Sequence, residues 1–248
     1  MRYVLADIQI FHRIGGVILS RWAHYLAGVT WIGILDYFNF VQVPAFAQFE
    51  AGKRTEATAK LVPRALWWFR WGAMLTLLSG ISILAFQAQF DGDYFKTPSG
   101  VSIATGIFLA LIMFSNVWFV IWPAQKRVIA NAQNVLAGRE ADPAAPGFAR
   151  RGLLASRTNT LFSIPMLFFM GATSHFAPVF NTPSSGKRVT YFIILLVLAA
   201  ALELNALGLL GGTAPSPTNR YLDTHRDTII AGFALSVVLY IFFQIFFG

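Results

Sequence analysis

Apolar residues fall along this chain in six long runs, at 19–46, 64–89, 101–122, 152–177, 188–210 and 227–247, and the first five are separated by clusters of Gly, Pro, Asp, Asn or basic residues. Runs of about twenty residues are long enough to cross a hydrocarbon layer of roughly 30 Å as α-helices. The pattern therefore predicts an all-α polytopic membrane bundle of about six transmembrane helices. The third run is expected to continue as a helix past Pro123 to Leu136. Residues 1–18 mix charges with apolar positions and read as a short interfacial helix ending at Gly15-Gly16, and 19–248 as one transmembrane domain.

The connections carry turn and charge signals. Residues 47–63 hold Lys53, Arg54 and Lys60 and lead to Pro63, which suits the first turn of the next helix. Asp91-Gly92-Asp93 through Gly100, Ala141–Gly147, Asn181–Lys187 and Gly211–Pro217 are the other breaks. With six spans, Lys53, Arg54, Lys60, Arg64, Lys126, Arg127, Arg139, Arg150, Arg151, Arg220 and Arg226 share one side. The other side has only Arg2, Arg13, Lys96, Lys187 and Arg188. The excess of positive charge marks the cytoplasmic face, so both termini are expected outside the cytoplasm.

Composition agrees. The 248 residues are 56% hydrophobic and only 12% charged, about half the charge of an average soluble domain. The net charge of +8 sits mainly in loops flanking the apolar runs, so it reports orientation and lipid headgroups rather than nucleic acid. With no cysteine, disulfides, iron–sulfur clusters, thiolate metal sites and CxxCH haem attachment are excluded. Residues 1–16 lack a continuous apolar core, so no cleavable signal peptide is expected, and the first membrane helix of this multi-pass chain is expected to serve as the insertion signal.

Two of the four histidines stand in matching positions. His24 lies near the outer end of the first span with Gly28 one turn deeper on the same face and Trp31 beyond it. His175 lies near the outer end of the fourth, with Gly171 and Phe168 on its face. A glycine lets a flat ligand lie against a helix while the imidazole reaches its iron. The candidate cofactor-binding set is therefore His24, Gly28, Trp31, Phe168, Gly171 and His175, with His24 and His175 as ligands to a b-type haem iron. Zinc and copper are the other metals two imidazoles suit, copper less so without cysteine. His12 and His225 lie apart from this pair.

A second constellation lies nearer the cytoplasmic face. Asp36, Arg70, Arg157 and Glu203 all fall inside apolar runs, roughly 8–15 Å from the helix ends at about 1.5 Å per residue. Charges at that depth face the bundle interior and pair, so these four are expected to form a buried network that Asn116 and Asn205 could extend. The bland alternative is that the arginines snorkel to headgroups. Most aromatic side chains are expected to face lipid or to pack, and those of the Phe-rich last run to face lipid, with a partner subunit as the alternative.

Several segments resemble a known family. Arg21-Trp22-Ala23-His24 with Gly28 and Trp31-Ile32-Gly33, Trp68-Phe69-Arg70-Trp71 with Leu78-Ser79-Gly80, and Thr158-Asn159-Thr160-Leu161 through Pro165 to Ser174-His175-Phe176 are similar to the urate oxidase N-terminal-domain family. The resemblance covers about residues 20–180. It implies a bacterial membrane scaffold with urate hydroxylase-like members, some carrying a C-terminal cytochrome c domain that this chain lacks. The family pattern has an acidic residue where Gly72 stands, and a histidine in the connection where residues 47–63 have none.

Three functions follow as expectations. One is a b-haem protein passing electrons within a larger membrane complex, with partner subunits or a cytochrome. Another is a urate hydroxylase-like oxidoreductase, which rests on the resemblance and is opposed by those two departures. The third is a non-catalytic scaffold subunit. A transporter lacks the inverted repeat and paired broken helices it would require.

Overall fold

The computed structural model describes residues 12–248; residues 1–11, where most of the expected interfacial helix falls, lie outside the described residues. Seven helices account for the main architecture: α1 (Arg13–Gln48), α2 (Ala51–Lys60), α3 (Val62–Phe86), α4 (Pro98–Leu136), α5 (Ala145–Phe176), α6 (Ser185–Ala206) and α7 (His225–Phe247). Among the described residues there is no β-strand. The fold is all-α, and α1, α3, α4, α6 and α7 are each long and apolar enough to cross a membrane.

Local sequence sets the helix ends. Pro63, Pro98 and Pro146 stand in first turns, where a missing N–H costs nothing. Thr97, Ser184 and Thr224 cap α4, α6 and α7 through their hydroxyl oxygens, which accept from Gly100 N at 3.0 Å, Lys187 N at 3.4 Å and Asp227 N at 3.1 Å. At the opposite end of the first pair, Arg13 Nε donates to Phe86 O at 2.6 Å and closes the last turn of α3.

The connection 47–63, read as a loop, contains α2. Its exposed pairs Lys53–Glu50 and Lys60–Glu56 are spaced one helical turn apart, and the alanines between them favour helix. It is too short and polar to span, and it lies against α4 with Ala59 buried.

The long helices alternate in direction. Phe38–Phe69 and His24–Thr76 run α1 against α3; Gly152 beside Gln125 and Ser102 bonded to Phe169 run α4 against α5. Phe169–Phe243 and Gly232 beside Leu161 set α5 and α7 side by side in the same direction.

Helix α5 is the sixth long helix, and it is the centre. Every residue from Leu154 to Ser163 is buried, although Ser156, Arg157, Thr158, Asn159, Thr160 and Ser163 are polar. A helix wrapped by other helices need not be apolar, provided its polar groups are satisfied. Thr158 and Thr160 donate to carbonyls one turn back, Leu154 O at 3.0 Å and Ser156 O at 3.3 Å. Pro165 cannot donate to Leu161 O. At that level Gly232 brings α7 so close that a Cβ there would stand 2.9 Å from Leu161 O.

Both α1 and α4 contain a π-helical stretch, Tyr37–Gln42 and Asn116–Ile121, and in each a proline follows as the second residue, Pro44 and Pro123. Proline's ring collides with the carbonyl four residues earlier, and one wider turn relieves that collision without breaking the helix. At the other end of the bundle an aromatic core joins Phe169, Phe176, Phe180, Tyr191, Phe243 and Phe247, with Phe243–Phe247 centroids 4.4 Å apart. The Phe-rich last helix therefore turns Phe243 and Phe247 into the core rather than toward lipid, because they lie on the same stripe as Leu235 and Leu239.

Candidate functional site

His24 sits on the buried stripe of α1 formed by Ser20, Ala27, Trp31 and Leu35, the face that meets α3. Its Nδ1 lies 2.9 Å from Thr76 O and 3.2 Å from Ser79 Oγ. A backbone carbonyl can only accept, so Nδ1 carries the proton, and in the neutral ring Nε2 holds the lone pair. Gly80 keeps that position close: a Cβ there would stand 3.2 Å from His24 Cε1. Trp31 is buried between the same two helices, with Gly72 against its backbone and, among the described residues, no acceptor for its Nε1.

His175, by contrast, is exposed near the end of α5, as is Gly171. Phe168 is partly exposed and packs edge-on against Phe169 and Tyr240. A Cβ added at Gly28 or at Gly171 would meet nothing within 4 Å, so both glycines face open space. Among the described residues no hydrogen bond or ring contact joins the His24 group to the His175 group. The two histidines do lie in the same half of the bundle. Measured from the Asn39–Ser156 contact, they stand about 22 Å and 28 Å along their helices at about 1.5 Å per residue.

The second constellation is organised by amides rather than ion pairs. Arg157, only 3% exposed, donates from Nε to Asn39 Oδ1 at 3.1 Å and from Nη1 to Leu222 O at 3.2 Å. Asn39 Nδ2 donates in turn to Ser156 Oγ at 2.8 Å and Leu35 O at 2.9 Å. On the far side of α5, Asn116 Nδ2 donates to Glu203 Oε2 and to Asn159 Oδ1, both at 3.0 Å, while Asn159 Nδ2 donates to Met113 O at 2.9 Å. Asn39 and Asn116 both lie in the π-helical stretches, at the level where α5 is most polar.

The four charges foreseen as one network are thus separated. Glu203 joins Asn116, Arg157 joins Asn39 and Arg70 stacks on tryptophans, while among the described residues Asp36 has neither a hydrogen bond nor an ion pair. Amides prevail because each both donates and accepts, and so bridges one helix to the next without burying a second charge. Asn205, foreseen as an extension, accepts from Tyr221 Oη at 3.0 Å and donates to Leu210 O at 2.7 Å, fixing the 207–224 connection. Asn39, Ser156 and Asn159 were not foreseen; the signal available was amide and hydroxyl groups at the depth of Arg157.

Beside this layer lies a cavity of about 290 Å³, open to one side, between α1, α2, α3, α4 and α5. Asn39, Gln42, Gln125 and Ser156 give it polar points among Phe38, Phe46 and Leu66. His225 stands away from the outer pair, its ring 6.1 Å from that of Phe40. No group of three or more histidines and carboxylates among the described residues could hold a metal ion by side chains alone.

The family model described as "Urate oxidase N-terminal" matches residues 93–205. This stretch is similar to the urate oxidase N-terminal family. No curated protein and no solved structure matches the chain. The span shared with the urate oxidase N-terminal family takes in α4, α5 and α6, and so holds Asn116, Arg157, Asn159, His175 and Glu203. It stops short of His24, Gly28 and Arg70, so the resemblance read in residues 21–33 and 68–80 lies outside it. Gly72 has a structural role here: a Cβ would stand 3.1 Å from Trp31 N and 3.4 Å from Ala27 O. The backbones of α1 and α3 come close at this position, so a longer side chain would push them apart.

Proposed function

We propose that this protein binds b-type haem in the bacterial inner membrane and passes electrons within a larger membrane assembly. The observation that carries this reading is the 2.9 Å contact of His24 Nδ1 with the Thr76 carbonyl. Metal-binding histidines almost always donate their second ring N–H to a carbonyl or similar group, which fixes the ring and frees the other nitrogen. Thr76 O and Ser79 Oγ hold Nδ1–H in that way and leave Nε2 as the ligand atom. His175, in the same half of the bundle, would supply a second imidazole.

Gly28 and Gly171, with nothing against them, leave room for a flat macrocycle. Haem also suits two histidines without a third side-chain ligand, because its porphyrin supplies most of the iron's ligands itself. Bound there, it would provide a reversible one-electron centre.

The test is the optical spectrum and pyridine haemochrome of protein purified without added haem. A b-type spectrum is expected, lost in His24→Ala and weakened and shifted in His175→Ala. Natively purified protein free of haem sinks the reading. The family match favours one further reading, urate oxidation with a separate cytochrome as acceptor. Urate-dependent reduction of added cytochrome c by membranes containing the protein decides it, and no reduction above the empty-membrane rate removes it.

A further inference from the structure

Arg70 is a cation placed where bundles normally pair charges, and among the described residues no carboxylate pairs with it. Its guanidinium carbon stands 4.0 Å from the ring centroid of Trp122, 5.1 Å from Trp118 and 5.8 Å from Trp71. Among the described residues, none of its nitrogens has a hydrogen-bond acceptor and no carboxylate lies within 4 Å. Nε is buried without a partner, and Trp118 Nε1 beside it is a second buried N–H donor with none. Lys126 adds a second cation on the same indole, 5.6 Å from the Trp122 centroid.

Stacking on indoles holds a guanidinium in place and leaves its in-plane N–H groups free to donate. A flat, fixed fork of donors, reinforced by a lysine, is the arrangement that recognises a phosphate. The surroundings identify its source. Trp67, Trp68 and Trp71 are exposed on the same helix, as an aromatic belt at headgroup depth would be, and Arg64 and Lys126 lie toward the basic face.

We propose that Arg70, Trp118, Trp122 and Lys126 form a binding site for the phosphate of an anionic membrane lipid. The guanidinium donates to the phosphate oxygens and Lys126 supplies the second charge. A choline lipid carries the same phosphate but balances it internally, so the site discriminates by net charge.

Native mass spectrometry of detergent-purified protein, given equal phosphatidylglycerol and phosphatidylcholine, tests this. One phosphatidylglycerol per chain is expected to be retained roughly tenfold over phosphatidylcholine, the factor one charge-assisted bond carries. The preference should vanish in Arg70→Gln and fall partway in Trp118→Phe, which keeps the packing and removes one donor. Millimolar inorganic phosphate should not displace the lipid. Equal retention of the two lipids, an undiminished preference in Arg70→Gln when Trp118→Phe is also silent, or displacement by inorganic phosphate would each overturn the lipid assignment. The last of these would make the ligand a soluble phosphate compound.

Discussion

Asn39 and Ser156, 117 positions apart, meet at 2.8 Å with the amide donating, and Asn39's carbonyl accepts from Arg157 at 3.1 Å. One amide thereby ties α1 to the central helix and neutralises part of the cost of a buried guanidinium. The same device recurs where Asn116 links α4 to Asn159 and Glu203. Both asparagines stand in widened turns, so the two prolines and the polar layer are one arrangement: the extra residue that accommodates each proline also turns an amide toward α5.

Removing the Asn39 amide should therefore be costly. Asn39→Leu leaves Arg157 Nε without an acceptor in a buried site, a loss of about 2–3 kcal/mol for a hydrogen bond to a charged group. Thermal unfolding in detergent should shift down accordingly, while Asn39→Asp, which keeps the acceptor and adds an opposite charge, should shift less. Equal shifts for both variants would mean that packing, rather than the bond to Arg157, is what Asn39 supplies.

Two glycines on the same pair of helices should behave oppositely. A Cβ at Gly72 would press on the Trp31 backbone, so Gly72→Leu should cost about 1–3 kcal/mol as α1 and α3 are forced apart. Gly28 faces open space, and Gly28→Leu should leave unfolding unchanged or slightly raised through better helix propensity. If the haem reading holds, the same Gly28→Leu protein should lose haem content. Unfolding curves and haem-to-protein ratios on the two variants separate these effects.

The spans were legible because lipid-facing helices announce themselves by unbroken apolarity. α5 was legible only in part, since its burial comes from its neighbours and its middle reads as polar. The network was harder. Asp36, Arg70, Arg157 and Glu203 stand out by charge, yet charge does not reveal partners, and amides such as Asn39 do the joining. Nor could sequence show that Thr76 O meets His24, because a backbone carbonyl carries no residue-specific signal.

The connection after α6 is pinned by Arg150, which donates from Nη2 to Asp223 Oδ1 at 2.8 Å and from Nε to Thr213 O at 2.9 Å. The ion pair is partly buried, so it stands above a fully exposed one, at about 1 kcal/mol. Asp223→Ala should loosen the segment 207–224 more than it lowers global stability. Limited proteolysis should cut there several-fold faster, whereas the exposed pair Lys60–Glu56 should be removable without effect on either measure.

Tyr221 in the same connection gives a pH signature. Burial, assisted by the nearby Glu203, pushes its phenol from its ordinary value near 10 up to about 12. The folded protein therefore binds this proton more tightly than the unfolded chain does. The stability this confers is complete below about pH 10 and is lost as pH rises through about 12, because in that window the unfolded chain has released a proton the native one retains. Unfolding midpoints followed from pH 9 to 12 should fall across this range. Tyr221→Phe, which loses the bond to Asn205 but cannot ionise, should start lower and fall less steeply; equal slopes for the two proteins would remove Tyr221 as the group responsible.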